Sequence, residues 1–254
     1  MELERYIRER LKEKEILIMT HIVIGYPSFE ECFRLVEEMV NAGVDLMELQ
    51  IPFSEPIADG PVILKANHKA IEDGVTVQEC LEFAGEVSHT FPIPFLVMTY
   101  FNIIFKYGTE RFIENLKRKG IKGAIVADLP PEEGKEYYEL MKKNGLCPIV
   151  LFSPTTSFQR MKYLSSFAKG FIYCVARKGV TGAKTEFSEE LSRYLSLCRK
   201  ATDLPIALGF GVKEKKDVDF LKNKADIAVI GTQTLRILEE EGISEVGRFL
   251  KGLR

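Results

Sequence analysis

Tryptophan is absent from this chain, and histidine is nearly so, with three residues in 254. A histidine-rich metal site is therefore not expected. Cysteine is sparse and odd in number: Cys32, Cys80, Cys147, Cys174 and Cys198 are widely scattered, and no two have metal-ligand spacing. All five read as reduced packing residues of a cytoplasmic protein. No apolar run approaches the roughly 18 residues needed to cross a bilayer. The apolar stretch 16–19 is too short for a secretory signal, and polar Thr20 and His21 follow it. Charge of one sign is also lacking: the net charge of −2 gives no reason to expect nucleic acid or an anionic membrane as partner.

What the chain does have is a repeated unit. Apolar residues make up 46% of it, enough for a large core. Residues 2–14 carry Leu3, Tyr6, Ile7 and Leu11 at helical spacing, which predicts a capping helix before the first strand. Strand-like runs follow at 16–24, 45–51, 94–100, 123–128, 147–153, 170–175, 204–210 and 226–230, with helical patterns between them. Ser28 with Glu31 marks a helix start by the capping-box pattern, and Pro130-Pro131 predicts a helix opening close behind it. Alternating strands and helices imply parallel pairing with right-handed crossovers. Eight such units in this length predict a single (β/α)8 TIM barrel, one domain over 1–254, with an open doubly wound sheet as the alternative.

The stretch 45–61 carries most of the chemistry. Leu46, Met47, Leu49 and Ile51 form an apolar strand that Glu48 interrupts. Side chains alternate across a strand, so Leu46, Glu48 and Gln50 share one face, and Met47, Leu49 and Ile51 share the other. The apolar face suits surrounding helices, which aims Glu48 into the barrel near the strand's C-terminal end. A buried carboxylate with no obvious cation beside it is costly to ionise, which suits a general base near neutral pH. Pro52, Pro56 and Pro61 stiffen the loop that follows. That loop returns a second carboxylate, Asp59, toward Glu48.

Barrel sites sit at the C-terminal ends of the strands. Three glycine-bearing loops reach that end, at 176–183, 208–212 and 229–233. Glycine lets backbone N–H groups approach an anion, and a helix N-terminus adds a favourable dipole. Together they predict a phosphate site. No nucleotide-binding glycine motif occurs, so the phosphate should belong to a small molecule. Met98, Tyr100, Ile125, Ala127, Leu151, Tyr173 and Phe210 supply an apolar and aromatic lining that an aromatic substrate would need.

The run Glu-Leu-x-Ile-Pro-Phe-Ser-x-Pro-x-Ala-Asp-Gly-Pro over 48–61 closely resembles the signature of the tryptophan synthase α chain family. The resemblance extends over nearly the whole chain, through Met98-Thr-Tyr-Phe-Asn102, Val126-Ala-Asp-Leu-Pro130, Arg177-Lys-Gly-Val-Thr-Gly182, Gly209-Phe-Gly211 and Gly231-Thr232. It implies cleavage of indole-3-glycerol phosphate to indole and glyceraldehyde 3-phosphate, a retro-aldol reaction with no cofactor in this chain. By resemblance, Glu48 is the acid/base and Asp59 accepts a hydrogen bond from the indole N–H. Tyr173 lines the pocket beside Glu48, and Thr181 bonds Asp59 when its loop closes. Amides around Gly182, Gly211, Gly231 and Thr232 hold the phosphate, Thr232 standing where the family commonly has Ser. The resemblance also implies an α2β2 heterotetramer with a pyridoxal-phosphate β chain that receives the indole, and an interface involving Pro52, Glu55, Pro56, Asn102 and Pro130.

Four positions depart from the family pattern. Gln50 stands where Gly is usual and is expected to crowd the pocket or bond Glu48. Glu55 replaces an Asp that commonly contacts the β chain, Tyr26 takes a position often held by Asp, and Lys178 adds a cation to the loop after strand six. Gln50 motivates a rival reading, a weakly catalytic partner that mainly activates a β chain. A third reading, an isomerase of another sugar phosphate, fits Asp59 and the aromatic lining less well.

Overall fold

The structure is a computed structural model and describes residues 2–176, 189–209 and 211–254. The first half contains α1 (Leu3–Arg10), β1 (Leu17–Val23), α2 (Phe29–Asn41), β2 (Leu46–Gln50), α3 (Pro61–Glu72), α4 (Val77–Thr90), β3 (Phe95–Thr99), α5 (Phe101–Tyr107), α6 (Thr109–Arg118) and β4 (Gly123–Val126). The second contains α7 (Lys135–Lys143), β5 (Cys147–Phe152), α8 (Phe158–Ser165), β6 (Ile172–Val175), α9 (Glu189–Ala201), β7 (Ile206–Gly209), α10 (Lys215–Leu221), β8 (Ile227–Ile230), α11 (Thr232–Glu240) and α12 (Ile243–Gly252).

The strands pair in chain order, all parallel, and β8 closes on β1 from Leu17↔Ile227 to Thr20↔Ile230. The expected (β/α)8 barrel is therefore present, and the open sheet is excluded. Strand alternation sorts the core into two layers. Leu17, Met19, Leu46, Leu96, Ile125, Ile149, Ala207, Ile227 and Val229 fill the barrel interior. Met47, Leu49, Val97, Ala124, Val150, Leu208 and Ala228 face the helices. Such strands are apolar on both faces, which is why they read as continuous runs.

The capping helix plugs the closed end: Leu3, Tyr6 and Ile7 join the interior cluster. Asp45, 1% exposed, lies at that end just before β2. Its carboxylate binds Lys14, Arg254 (3.1 Å) and, at 3.4 Å, Arg10, and it accepts the Ile18 N–H at 3.0 Å. One buried acid thus ties the first helix, β1 and the C-terminal residue together.

Some elements differ from the sequence expectation. Ser28 Oγ accepts the Glu31 N–H at 3.2 Å without the reciprocal bond, whereas reciprocal capping boxes form at Thr76 and Glu79, ahead of α4, and at Glu214 and Asp217, ahead of α10. The helix expected right behind Pro130-Pro131 starts only at Lys135, because the Pro130 carbonyl first closes turns onto Glu133 and Gly134. The short α5 went unanticipated: it has seven residues, of which only Ile104 is buried, so its periodicity is faint. After β8 the chain runs on as two helices, α11 and α12, turned at Gly242.

Candidate active site

Glu48 is the third residue of β2 and points inward, as alternation requires. It is 4% exposed. It is not alone. The register sets His21 of β1 directly beside it, and His21 Nδ1 lies 2.9 Å from Glu48 Oε1. His21 is 3% exposed. Burial works against protonating this ring, but the hydrogen bond and charge of Glu48, with the charge of Asp59, outweigh it and raise the imidazole pKa. Sequence reasoning missed this pair. The signal was available: His21 breaks an apolar strand near its C-terminal end, as Glu48 does on the neighbouring strand.

Asp59 is buried at the same end, on the loop between β2 and α3. Gln50 Nε2 donates to Asp59 Oδ2 at 2.6 Å, and Tyr100 Oη donates to the same oxygen at 3.3 Å. The expectation that Gln50 would bond Glu48 is corrected here: its amide turns toward Asp59, which the loop has brought onto its own strand face. Asn67 of α3 anchors the loop further, its Oδ1 accepting from Phe53 N–H at 2.9 Å and from Gln50 at 3.4 Å. Phe53 stacks on Tyr100 at 4.9 Å, and Tyr100 Oη accepts the Ala58 N–H at 3.2 Å. The proline-stiffened loop is thus fastened to β2, α3 and the end of β3. Burial raises the Asp59 pKa; the Gln50 hydrogen bond, the His21 charge and the Tyr100 hydroxyl oppose the rise, and the Glu48 charge adds to it.

The lining residues converge. Met98, Tyr100, Ile125 and Tyr173 belong to the interior cluster, with Ala127 and Leu151 half-buried against it. Tyr100, 1% exposed, supports the Asp59 loop from beneath. Tyr173 is within electrostatic reach of both acids: burial first, then the charges of Glu48 and Asp59, push its phenol well above the ordinary value. Its ring fits only because Gly209 is its neighbour. A Cβ on Gly209 would stand 2.3 Å from Tyr173 Cε1 and 2.5 Å from its Oη. Gly209 was expected to serve an anion loop; it is the last residue of β7 and gives the tyrosine room.

Two of the expected anion-binding loops have described residues at the right end. Gly211 follows β7 with φ +101°, a backbone that L side chains rarely adopt. Gly231 leads from β8 into α11, which begins at Thr232, so the amides of the first turn have no partner within the helix. A Cβ on Gly231 would lie 3.2 Å from His21 Cβ. The loop after β8 therefore packs directly against the strand that carries His21. Thr181, Gly182 and Phe210, and the departure at Lys178, lie outside the described residues.

Of the expected interface positions, Glu55, Asn102 and Pro130 are exposed, whereas Pro52 and Pro56 are buried within this chain and shape the loop. Ile57 and Phe105, 72% and 71% exposed, sit on the loop after β2 and on α5, both at the C-terminal end of the barrel. Tyr26 faces away from the acids and donates to Glu239 of α11, which also receives Lys65 at 3.0 Å.

The family model described as "Tryptophan synthase alpha chain" matches residues 7–249. The tryptophan synthase α chain of Desulforapulum autotrophicum is 59% identical over 251 residues, covering 99% of each chain. A solved structure from Aquifex aeolicus aligns with a TM-score of 0.91 at 34% identity, covering 100% of this chain and 98% of that one. A tryptophan synthase complex from Pyrococcus furiosus aligns at 0.85 and 26% identity, over 93% of this chain and 97% of that one. A barrel holding two buried acids at its open end, matched over nearly its whole length in sequence, belongs to the tryptophan synthase α chain family.

Proposed function

We propose that this chain, acting as a single barrel domain, is a carbon–carbon lyase that cleaves indole-3-glycerol phosphate by a retro-aldol route. The observation that carries the reading is the pair of buried acids, Glu48 on β2 and Asp59 on the anchored loop, beside an apolar interior lined by Met98, Ile125 and Tyr173. Ring C3 gains a proton, and the positive charge that grows on the ring nitrogen is met by Asp59. Both hydrogen bonds to Asp59 from Gln50 and Tyr100 fall on Oδ2, so we assign Oδ1 to the ring N–H. Glu48 takes the proton of the hydroxyl next to the ring and helps deliver the proton to C3. The bond between C3 and the hydroxyl-bearing carbon breaks, its electrons neutralise the ring, and indole and the aldehyde separate.

Stabilising charge with fixed groups in a dry interior is worth more than in water. The phosphate is assigned to the amides around Gly211, Gly231 and Thr232, with Gly182, and the loop containing Thr181 is assigned the closing role. The reaction as written needs no metal or organic cofactor from this chain. The partner is a β chain carrying pyridoxal phosphate, in an α2β2 assembly that receives indole. Exposed Glu55, Ile57, Asn102, Phe105 and Pro130, all toward the C-terminal end of the barrel, form the docking rim. We place the protein in the cytoplasm; among the described residues no helix is long and apolar enough to cross a membrane.

The test is direct. Purified chain given indole-3-glycerol phosphate should release indole and glyceraldehyde 3-phosphate in equal amounts, faster when a β chain is added, and should not turn over a non-aromatic sugar phosphate. Release of neither product, with or without a β chain, contradicts the reading.

A further inference from the structure

In the proposed reaction Glu48 has two tasks, base toward the hydroxyl and acid toward C3. Both need the carboxyl held still and its charge balanced. The structure puts one group in place to do both. His21 Nδ1 meets Glu48 Oε1 at 2.9 Å, inside the barrel, with both side chains almost wholly buried. Glu48 Oε2 and His21 Nε2 are buried without a hydrogen-bond partner among the described residues. Each member thus spends one polar atom on the other and leaves one uncommitted.

We propose that His21 is the positioning residue for Glu48: its Nδ1–H fixes Oε1 so that Oε2 is the oxygen presented to substrate, and its ring charge offsets the carboxylate between proton transfers. The proposal rests on the reading of Glu48 as acid/base. The geometry is that of a base oriented by a second titratable group through one hydrogen bond. An unpaired carboxylate at this depth would be costly to keep ionised, and a cation at hydrogen-bond distance removes much of that cost.

Among the described residues, the other titratable groups that His21 meets are few. Glu48 comes from β2, Asp59 from the loop beyond it, and Tyr173 of β6 reaches the pair through Glu48. On the β8 side the neighbour is the Gly231 backbone, which carries no titratable side chain. Both acids favour the imidazolium over the neutral ring, and the pKa of His21 is raised accordingly. The imidazole therefore holds its proton to higher pH than a free histidine does.

The experiment measures kcat and KM against pH for the wild type, His21→Asn and His21→Phe. The asparagine amide supplies a donor near the Nδ1 position but does not titrate. Wild type should show an alkaline limb above the ordinary histidine value. His21→Asn should lose that limb while retaining measurable turnover. His21→Phe should lose kcat about 10- to 100-fold, the range for removing a hydrogen bond to a charged group, with KM little changed. Wild-type kcat and pH profile in His21→Phe would overturn the proposal. A second readout does not depend on turnover: the His21 titration followed by nitrogen-15 NMR should move to lower pH in Glu48→Gln. An unmoved titration overturns the pairing even if the chain proves active. A moved titration in a chain that releases no indole supports the pairing and contradicts the lyase reading instead.

Discussion

Gln50 offers the sharpest perturbation, because one atom of it touches one acid. Its Nε2 donates to Asp59 Oδ2 at 2.6 Å, and the side chain is wholly buried. Gln50→Leu keeps nearly the same volume, so no large cavity opens. It removes the strongest opposition to the burial-driven rise in the Asp59 pKa; the His21 charge and the 3.3 Å Tyr100 hydroxyl remain. A hydrogen bond to a charged group contributes roughly 1.5–3 kcal/mol. Losing it moves the Asp59 pKa further up, since burial is then opposed only by the His21 charge and the Tyr100 hydroxyl. The proposed chemistry needs Asp59 ionised, so the acidic limb of kcat/KM for indole release should shift to higher pH, and at a fixed pH on that limb the rate should fall by about 10- to 100-fold. Global stability should change little, since the substitution also deletes Gln50 Oε1, a buried acceptor without a partner among the described residues. The assay is initial-rate indole release across the acid range, with urea unfolding as control. An acidic limb that stays in place, with kcat/KM unchanged, would refute the claim that Gln50 keeps Asp59 charged.

Gly209→Ala would drive a methyl to within 2.3 Å of the Tyr173 ring; the ring must move, and kcat/KM should fall by about tenfold or more with a lowered melting temperature. Asp45→Ala leaves the Ile18 N–H and three cations without their shared carboxylate; urea unfolding should register a loss of about 3 kcal/mol with the pH profile of activity unchanged. Both His21 and Asp59 have raised folded-state pKa values, so in each case the native state binds more protons than the unfolded chain. The His21 contribution should be complete below about pH 6.5 and lost as pH climbs past its raised value. The Asp59 effect has the same sign in the acid range, stability falling as pH rises from about 4 through its raised value. Unfolding free energies of the wild type, His21→Asn and Asp59→Asn across pH check both slopes.

The fold was legible because its signal is periodic. Eight apolar runs separated by helical patterns admit few architectures, and the alternation in β2 alone aims Glu48 inward. Boundaries blurred where local turns override the pattern, as at Pro130 and Gly242. The site was legible only residue by residue. Alternation says that Gln50 shares a face with Glu48, but not that a loop returning nine residues later supplies a better acceptor. His21 shows the same limit from the other side. Its partner is set by the register between β1 and β2, and register depends on the closed barrel rather than on either strand. Gly209 looked like part of an anion loop because its spacing fits one; only the bulk of Tyr173 on the adjacent strand reveals why a side chain cannot stand there.

Glu48 acts chemically in the proposed reaction rather than as a structural acid. Glu48→Gln keeps the shape and one hydrogen-bonding oxygen but cannot take a proton. Purified Glu48→Gln should bind glycerol 3-phosphate with an affinity within a few-fold of wild type, while its indole release falls by about a thousandfold or more. Indole release at the wild-type rate in that variant would contradict the central claim.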